Sequence, residues 1–325
     1  MTISQPQAWA DAEGYLRRAQ RILAITHLQP DGDAIGSLLG FTHAMRDWGK
    51  QVTPVCQDSP NSRFDYLNGI RDITRNSEGN FDLVVALDAG DLSRLGNVFL
   101  PVQHASIPMV SFDHHITNTH YGTVNVVEPG FASTSEMMFM LIKRLNLPLT
   151  NEIASALLTG VITDTLAFRT SNTTPDTLAT AVELMRAGAS VTEITRRALV
   201  LRSYDSLRLL GAGLAASQLE DRIAYASIPR KMRKALGIRE DRGDGNLVGT
   251  LITAMEADIA VVFVELADGN VDVSFRAQPR FDISQVALEL GGGGHPAAAG
   301  CTMPGPLRDA VSQVLPKLRQ VIREK

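Results

Sequence analysis

The stretch RILAITHLQPDGDAIGSLLGF, residues 21–41, decides the architecture. Its first part, residues 21–28, is a short apolar run that reads as a buried strand. The run ends at His27 and enters the turn Gln29-Pro30-Asp31-Gly32-Asp33. Helical spacing follows over about residues 34–48, marked by Ile35, Leu38, Leu39, Phe41 and Met45, and Gly49 stops it. Working outward, residues 51–56, 82–87 and 107–112 read as further strands with helical stretches between them. That alternation implies βαβ units and a parallel sheet with helices on both faces. Ligands of such sheets gather beyond the carboxyl ends of the strands.

Every one of those ends but one carries metal-ligand chemistry. His27, Asp31 and Asp33 follow the first strand, Asp88 follows the run 82–87, and Asp113-His114-His115 follows the run 107–112. Asp164 joins them from a helical region, within Thr163-Asp164-Thr165. Carboxylates and imidazoles suit hard and borderline divalent cations. So many of them at buried strand ends would repel one another unless cations lay between them. The expectation is a two-metal hydrolase. His27, Asp31 and Asp88 hold one cation, and Asp33, Asp88, His114 and Asp164 hold the other, with Asp88 bridging. The mixture of His and carboxylate favours Mn²⁺, with Mg²⁺ or Co²⁺ as substitutes. His115, outside that set, is expected to act beside Asp88 in catalysis, on charge at the leaving oxygen. Taken singly, each cluster has a plainer reading: Asp-Gly-Asp as a turn, His27 as a satisfied histidine, Asp88 as a helix cap. Their coincidence at successive strand ends carries the inference. His43, His104 and His120 read as ordinary surface or packing residues.

From about residue 132 the pattern turns helical, over 133–145, 151–165 and 175–187. Ser133 and Glu136 read as a capping box. A helical connector over about 190–216 leads to strands at 222–228, 258–266 and 270–276 of a second, smaller α/β domain. The expected division is a catalytic domain at 1–190, a connector at 191–218 and a substrate domain at 219–325, with residues 237–246 as an exposed loop. The second domain carries Gly291-Gly292-Gly293-Gly294-His295-Pro296-Ala297-Ala298-Ala299-Gly300. A glycine run marks backbone that bends tightly or approaches a ligand. Its amides suit phosphate, and the alanines after it suggest a short close-packed helix. Gly292, Gly293, Gly294, His295 and Arg276 are therefore expected to bind substrate, with Arg169 as a further candidate.

The chain has 325 residues, 44% of them apolar and 20% charged, enough for two cored domains and unlike a disordered chain. Its 31 basic and 35 acidic residues give a net charge of −4, which argues against a track for long nucleic acid. Cys56 and Cys301 form no metal pattern, so a reducing cytoplasm is expected. No apolar run has membrane-spanning length, and Met1 to Ala12 lacks a signal-peptide core.

With these residues in view, the chain resembles the DHH phosphoesterase superfamily. Residues 27–37 resemble its first motif, Asp88 the second, Asp113-His114-His115 the third and residues 163–168 the fourth. Gly291 to Gly300 resembles the glycine-histidine signature of the DHH-associated C-terminal domain. The two-domain layout resembles the nanoRNases, which hydrolyse short oligoribonucleotides and dephosphorylate 3′-phosphoadenosine 5′-phosphate (pAp). The resemblance implies the same metal ligands and substrate residues, short RNA and pAp as substrates, and no membrane or long-duplex partner. A homo-oligomer is compatible with it. Leu166 departs from the glycine of many relatives, and Pro296 from the basic residue of some. Rival readings are a cyclic dinucleotide or pApA phosphodiesterase, a manganese pyrophosphatase, a single-strand exonuclease and a catalytically silent nucleotide- or RNA-binding module.

Overall fold

The computed structural model describes residues 3–103, 106–239 and 243–324, so His104 and part of the 237–246 loop lie outside the described residues. The chain divides into two compact units, Met1–Leu201 and Arg202–Lys325.

The first unit is built on five parallel strands: β1 (Arg21–Thr26), β2 (Gln51–Val55), β3 (Leu83–Leu87), β4 (Met109–Asp113) and β5 (Val124–Val127). Their spatial order is β2-β1-β3-β4-β5. The sheet is apolar on both faces because successive side chains alternate sides. Ile22 and Ala24 enter one core, Leu23 and Ile25 the other. Helices α1 (Pro6–Arg18), α2 (Gly32–Asp47) and α4 (Thr134–Arg144) share the first core with the sheet. The second face is covered by short turns and α3 (Leu100–Gln103), through Leu95, Phe99 and Val102. Helices α5 (Asn151–Asp164), α6 (Pro175–Arg186) and α7 (Val191–Thr195) add to the first core, through Leu157, Leu184 and Ile194 among others. Strand β5 and helix α1 extend the sequence reading. Trp9 Nε1 donates to Oε1 of buried Glu128 at 3.0 Å and fixes α1 to the exit of β5.

Two local readings need correction. Helix α2 starts at Gly32, not at residue 34, because Asp31 caps it by accepting from the amides of Asp33 and Ala34. Asp33 is thus a buried helical residue and not the tip of a turn. Ser133 caps α4 by accepting from Glu136 N, but Glu136 returns its carboxylate to Ala132 N, so the box is one-sided.

The second unit opens with α8 (Tyr204–Ala215). Its sheet contains β6 (Gln218–Glu220), β7 (Ile223–Ile228), β8 (Ile259–Glu265), β9 (Asn270–Ala277), β10 (Gly293–His295) and β11 (Ala298–Pro304). The order is β10-β11-β9-β8-β7-β6, with β7 and β8 parallel and the other pairs antiparallel. One face packs on α11 (Ser284–Glu289) and α12 (Leu307–Arg323). The other packs on α8, α9 (Arg230–Leu236) and α10 (Leu247–Leu251). The helix expected at Ala297-Ala298-Ala299 is instead the start of β11. Ala299, Cys301 and Met303 are buried alternately, and the segment pairs with β9 from Ala298↔Arg276 to Pro304↔Asn270. A period of two and a full ladder outweigh the helical propensity of alanine. Among the described residues no helix is long and apolar enough to cross a membrane.

Candidate active site

The sheet reverses its winding between β1 and β3, and the side chains of interest collect beyond that point. His27 follows β1 directly, and Asp88 follows β3 with φ 60, a left-handed conformation uncommon outside glycine. His114 and His115 follow β4, Asp31 and Asp33 come from the start of α2, and Asp164 is the last residue of α5. His27 Nε2 lies 3.9 Å from Asp31 Oδ1 and 3.7 Å from Asp88 Oδ2. His114 Nε2 lies 3.7 Å from Asp88 Oδ1 and 3.2 Å from Asp164 Oδ2. His115 Nδ1 lies 3.7 Å from Asp88 Oδ1 and 2.7 Å from Asp113 Oδ1. Three overlapping donor groups result, each with its atoms within 4.8 Å of one another: His27-Asp31-Asp88, Asp33-His114-Asp164 and Asp88-His114-His115. All six residues expected from the sequence to be ligands meet here.

The electrostatics are those of a crowded anionic site. Burial, with Asp88 beside it, pushes the Asp33 carboxyl well above the usual carboxylate range. Burial, with Asp33 and Asp88 nearby, does the same to Asp164. Burial also opposes the charge on Asp88, but the imidazoles of His27, His114 and His115 outweigh it and hold that carboxyl low. Burial lowers His114. It would lower His115 too, yet the Asp113 hydrogen bond and Asp88 push that imidazole up to about 9. A donor set whose buried carboxyls resist ionising together fits divalent cations, whose charge would relieve that repulsion.

Backbone geometry holds the donors in place. His27 Nδ1 donates to Leu28 O at 2.7 Å, which turns Nε2 toward the carboxylates. Asp33 accepts from the first amides of α4, Thr134 N at 2.6 Å and Ser135 N at 2.8 Å. Thr134 Oγ1 also donates to Asp88 Oδ1 at 2.9 Å. This approach requires Gly160 on α5, where a Cβ would stand 1.9 Å from Ser135 Oγ and 2.5 Å from Asp33 Oδ1. Fully buried Asp113 binds His115 on one oxygen and Asn118 Nδ2 on the other, at 2.7 Å each. Sequence reasoning did not single out Thr134, Ser135 or Asn118. The Ser133-Thr134-Ser135 run was a visible signal but reads as ordinary helix capping.

In the second unit Arg276 lies on β9, half-buried, and donates to Phe275 O at 2.8 Å. Burial works against its charge, and nearby Asp244 favours it. A Cβ on Gly292 would stand 2.1 Å from Gly300 O, and one on Gly294 would stand 2.5 Å from Ala298 O, whereas one on Gly293 meets nothing within 4 Å. His295 is a residue of β10 whose side chain lies outside the described structure. Arg169 is exposed and donates to Leu166 O at 2.7 Å. Leu166, Ala167 and Phe168 follow Asp164 closely and form a left-handed run with φ 46, 58 and 64, a conformation that favours glycine. His43 Nε2 pairs with Asn68 O at 2.9 Å, and His120 N donates to Asn118 Oδ1 at 2.8 Å, both in local structural roles.

Fold and site together define a doubly wound α/β protein with a cluster of metal donors at its switch point. Family comparison narrows this class. Residues 21–161 match the N-terminal domain of the DHH family, and residues 240–324 match the DHHA1 domain. A Thermus thermophilus protein named bifunctional oligoribonuclease and PAP phosphatase NrnA is 36% identical over 307 residues, 92% of this chain and 89% of that one. Its Bacillus subtilis namesake is 27% identical and covers 93% of this chain and 95% of its own. A Streptococcus thermophilus protein named probable manganese-dependent inorganic pyrophosphatase is 27% identical over 184 residues, 53% of this chain and 57% of its own. The crystal structure of an exopolyphosphatase-related protein from Bacteroides fragilis superposes with a TM-score of 0.90 at 24% identity, covering 99% of both chains. The chain belongs to the DHH family.

Proposed function

We propose that this protein is a two-metal phosphoesterase that hydrolyses short oligoribonucleotides to mononucleotides and removes phosphate from pAp. The observation that carries the reading is the trio of overlapping donor groups at the switch point, with Asp88 common to two of them. The relatives named for oligoribonuclease and pAp phosphatase activity support the substrate class. The mixed imidazole and carboxylate donors, and the relative named for manganese dependence, support Mn²⁺, with Mg²⁺ or Co²⁺ as substitutes.

Residues 1–190 are assigned the catalytic role and residues 219–325 the binding of substrate. His27, Asp31 and Asp88 would hold one cation, and Asp33, Asp88, His114 and Asp164 the other. Bound there, the cations would supply Lewis-acid stabilisation of phosphoryl oxygens and a lowered pKa for an attacking water. The chain's own residues then orient and balance charge. Asp88 is held in one orientation between the imidazoles of His27 and His114. His115, fixed through Nδ1 by Asp113, meets the charge that builds on the leaving oxygen. Arg276, the backbone of Gly292, Gly293 and Gly294, and His295 bind the phosphate or base farther from the reacting bond. The net charge of −4 agrees with short substrates neutralised locally instead of along a basic track.

The test is a turnover panel with Mn²⁺ comparing pAp, pApA, short RNA, cyclic dinucleotides and pyrophosphate. Release of mononucleotides from short RNA and of phosphate from pAp is expected. Preference for pyrophosphate or cyclic dinucleotides would overturn the substrate class, and turnover of none would leave a binding module.

A further inference from the structure

We infer that Thr134 is a positioning residue that ties Asp33 to Asp88 across the donor groups and sets the orientation of Asp88. The inference rests on the reading of the site as a two-metal centre and adds to it a residue outside the ligand set. Thr134 is fully buried and is the first residue of α4. It makes two contacts, one to each of two carboxylates in different donor groups. Its amide donates to Asp33 Oδ2 at 2.6 Å, and its hydroxyl donates to Asp88 Oδ1 at 2.9 Å. Asp33 belongs to the group with His114 and Asp164, and Asp88 to the two others, with His27 and Asp31 and with His114 and His115.

The hydroxyl contact matters because a carboxylate turns about its Cβ–Cγ bond, and the two oxygens of Asp88 serve different partners. Oδ1 lies 3.7 Å from both His114 Nε2 and His115 Nδ1, while Oδ2 lies 3.7 Å from His27 Nε2. A donor fixed on Oδ1 holds the carboxylate plane so that each oxygen faces its own side. The amide contact serves Asp33 in another way. Together with Ser135 N it places the carboxylate at the amino end of an eleven-residue helix, where the helix dipole favours negative charge. One residue therefore controls both the separation of Asp33 from Asp88 and the rotation of Asp88. The amide survives any side-chain change, so substitution separates the hydroxyl's role from the helix's.

The experiment titrates Mn²⁺ into the metal-free full chain by calorimetry and counts bound metal by elemental analysis. It uses the wild type, Thr134→Val, Thr134→Ala and Thr134→Ser, with thermal unfolding of each metal-free protein as a control. Removing the hydroxyl is expected to weaken one of the two binding events by about 10- to 100-fold, the usual effect of losing a hydrogen bond to a ligand. Serine is expected to restore wild-type binding. If the valine variant does not fold, alanine, which adds no volume, decides the matter. Wild-type affinity for both cations in the hydroxyl-free variant would overturn the inference, as would a serine variant as weak as alanine. A wild type that binds no Mn²⁺ would overturn the two-metal reading itself, and this inference with it.

Discussion

Nε2 of His114 lies 3.2 Å from Oδ2 of Asp164, so the exit of β4 meets the last residue of α5. Burial pushes the Asp164 carboxyl up and the His114 imidazole down, so in the metal-free protein both favour their neutral forms. A cation at that point would take the place of a proton.

A pH dependence follows. Asp33, Asp164, His27 and His115 all have folded pKa values raised above their unfolded ones. The stability such groups contribute is complete below the unfolded pKa and is lost as pH rises through the folded one. His114, which is lowered, works the other way, losing stability as pH falls below its ordinary value near 6.5. Asp88, also lowered, loses its contribution only in acid. The metal-free protein should therefore lose stability on balance from about pH 5 to about pH 9, while a cation displaces the protons concerned and stabilises more as pH rises. Thermal unfolding with Mn²⁺ or with chelator, at about pH 5.5 and about pH 8.5, measures this. A larger melting-temperature gap is expected at the higher pH, and equal gaps would show that no proton is displaced.

Asp88 offers the sharpest loss of function. Asparagine keeps its shape and tolerates the left-handed φ of 60, so Asp88→Asn should fold normally. It removes the charge shared by two donor groups, and turnover should fall to background along with cation binding. Alanine should do the same at a further cost of about 1 kcal/mol in stability, because alanine tolerates that backbone less well. Circular dichroism, metal content and pAp turnover measured together check this. Near-normal turnover by either variant would refute the bridging role.

How far the sequence revealed this site follows from where each residue sits. His27, Asp88 and His114 were legible because each stands where an apolar strand ends, and a parallel sheet brings such ends together. Asp33 was legible as a candidate donor but not as a helical residue, because Asp-Gly-Asp looks like a turn until Asp31 is seen to cap α2. Thr134 was hidden because its role depends on a tertiary approach that Gly160 permits from a different helix. The Ala297–Ala299 run was misread because local propensity points to helix, while pairing with β9 is long-range. The left-handed run from Leu166 to Phe168 left no trace in local sequence, because none of its three residues is glycine or asparagine.

Substitution of His115 offers a test that separates catalysis from metal binding. It stands near Asp88 and His114, yet its Nδ1 is committed to Asp113. His115→Ala should therefore lower kcat by about 10²- to 10⁴-fold, the range for loss of a general acid. Both cations should remain bound. Elemental analysis beside steady-state kinetics checks the pair of outcomes, and loss of one cation would reassign His115 as a ligand.

The glycine run allows a test that divides structure from binding within two adjacent residues. At Gly292 an added Cβ would collide with Gly300 O at 2.1 Å and Cys301 Cβ at 2.5 Å, backbone and core atoms that have little room to move. Gly292→Ala should destabilise the second unit by about 1–3 kcal/mol, as overpacking does. At Gly293 the same Cβ meets nothing within 4 Å, and the backbone is outside the left-handed region. The fold therefore places no demand for glycine there, and Gly293→Ala should leave stability unchanged or raise it by up to about 1 kcal/mol. If glycine at that position serves a phosphate that comes close to the backbone, the methyl group will stand where the phosphate belongs. KM for pAp should then rise while kcat changes less. Chemical unfolding and substrate kinetics on both variants decide the point, and an unchanged KM for Gly293→Ala would remove this residue from the substrate site.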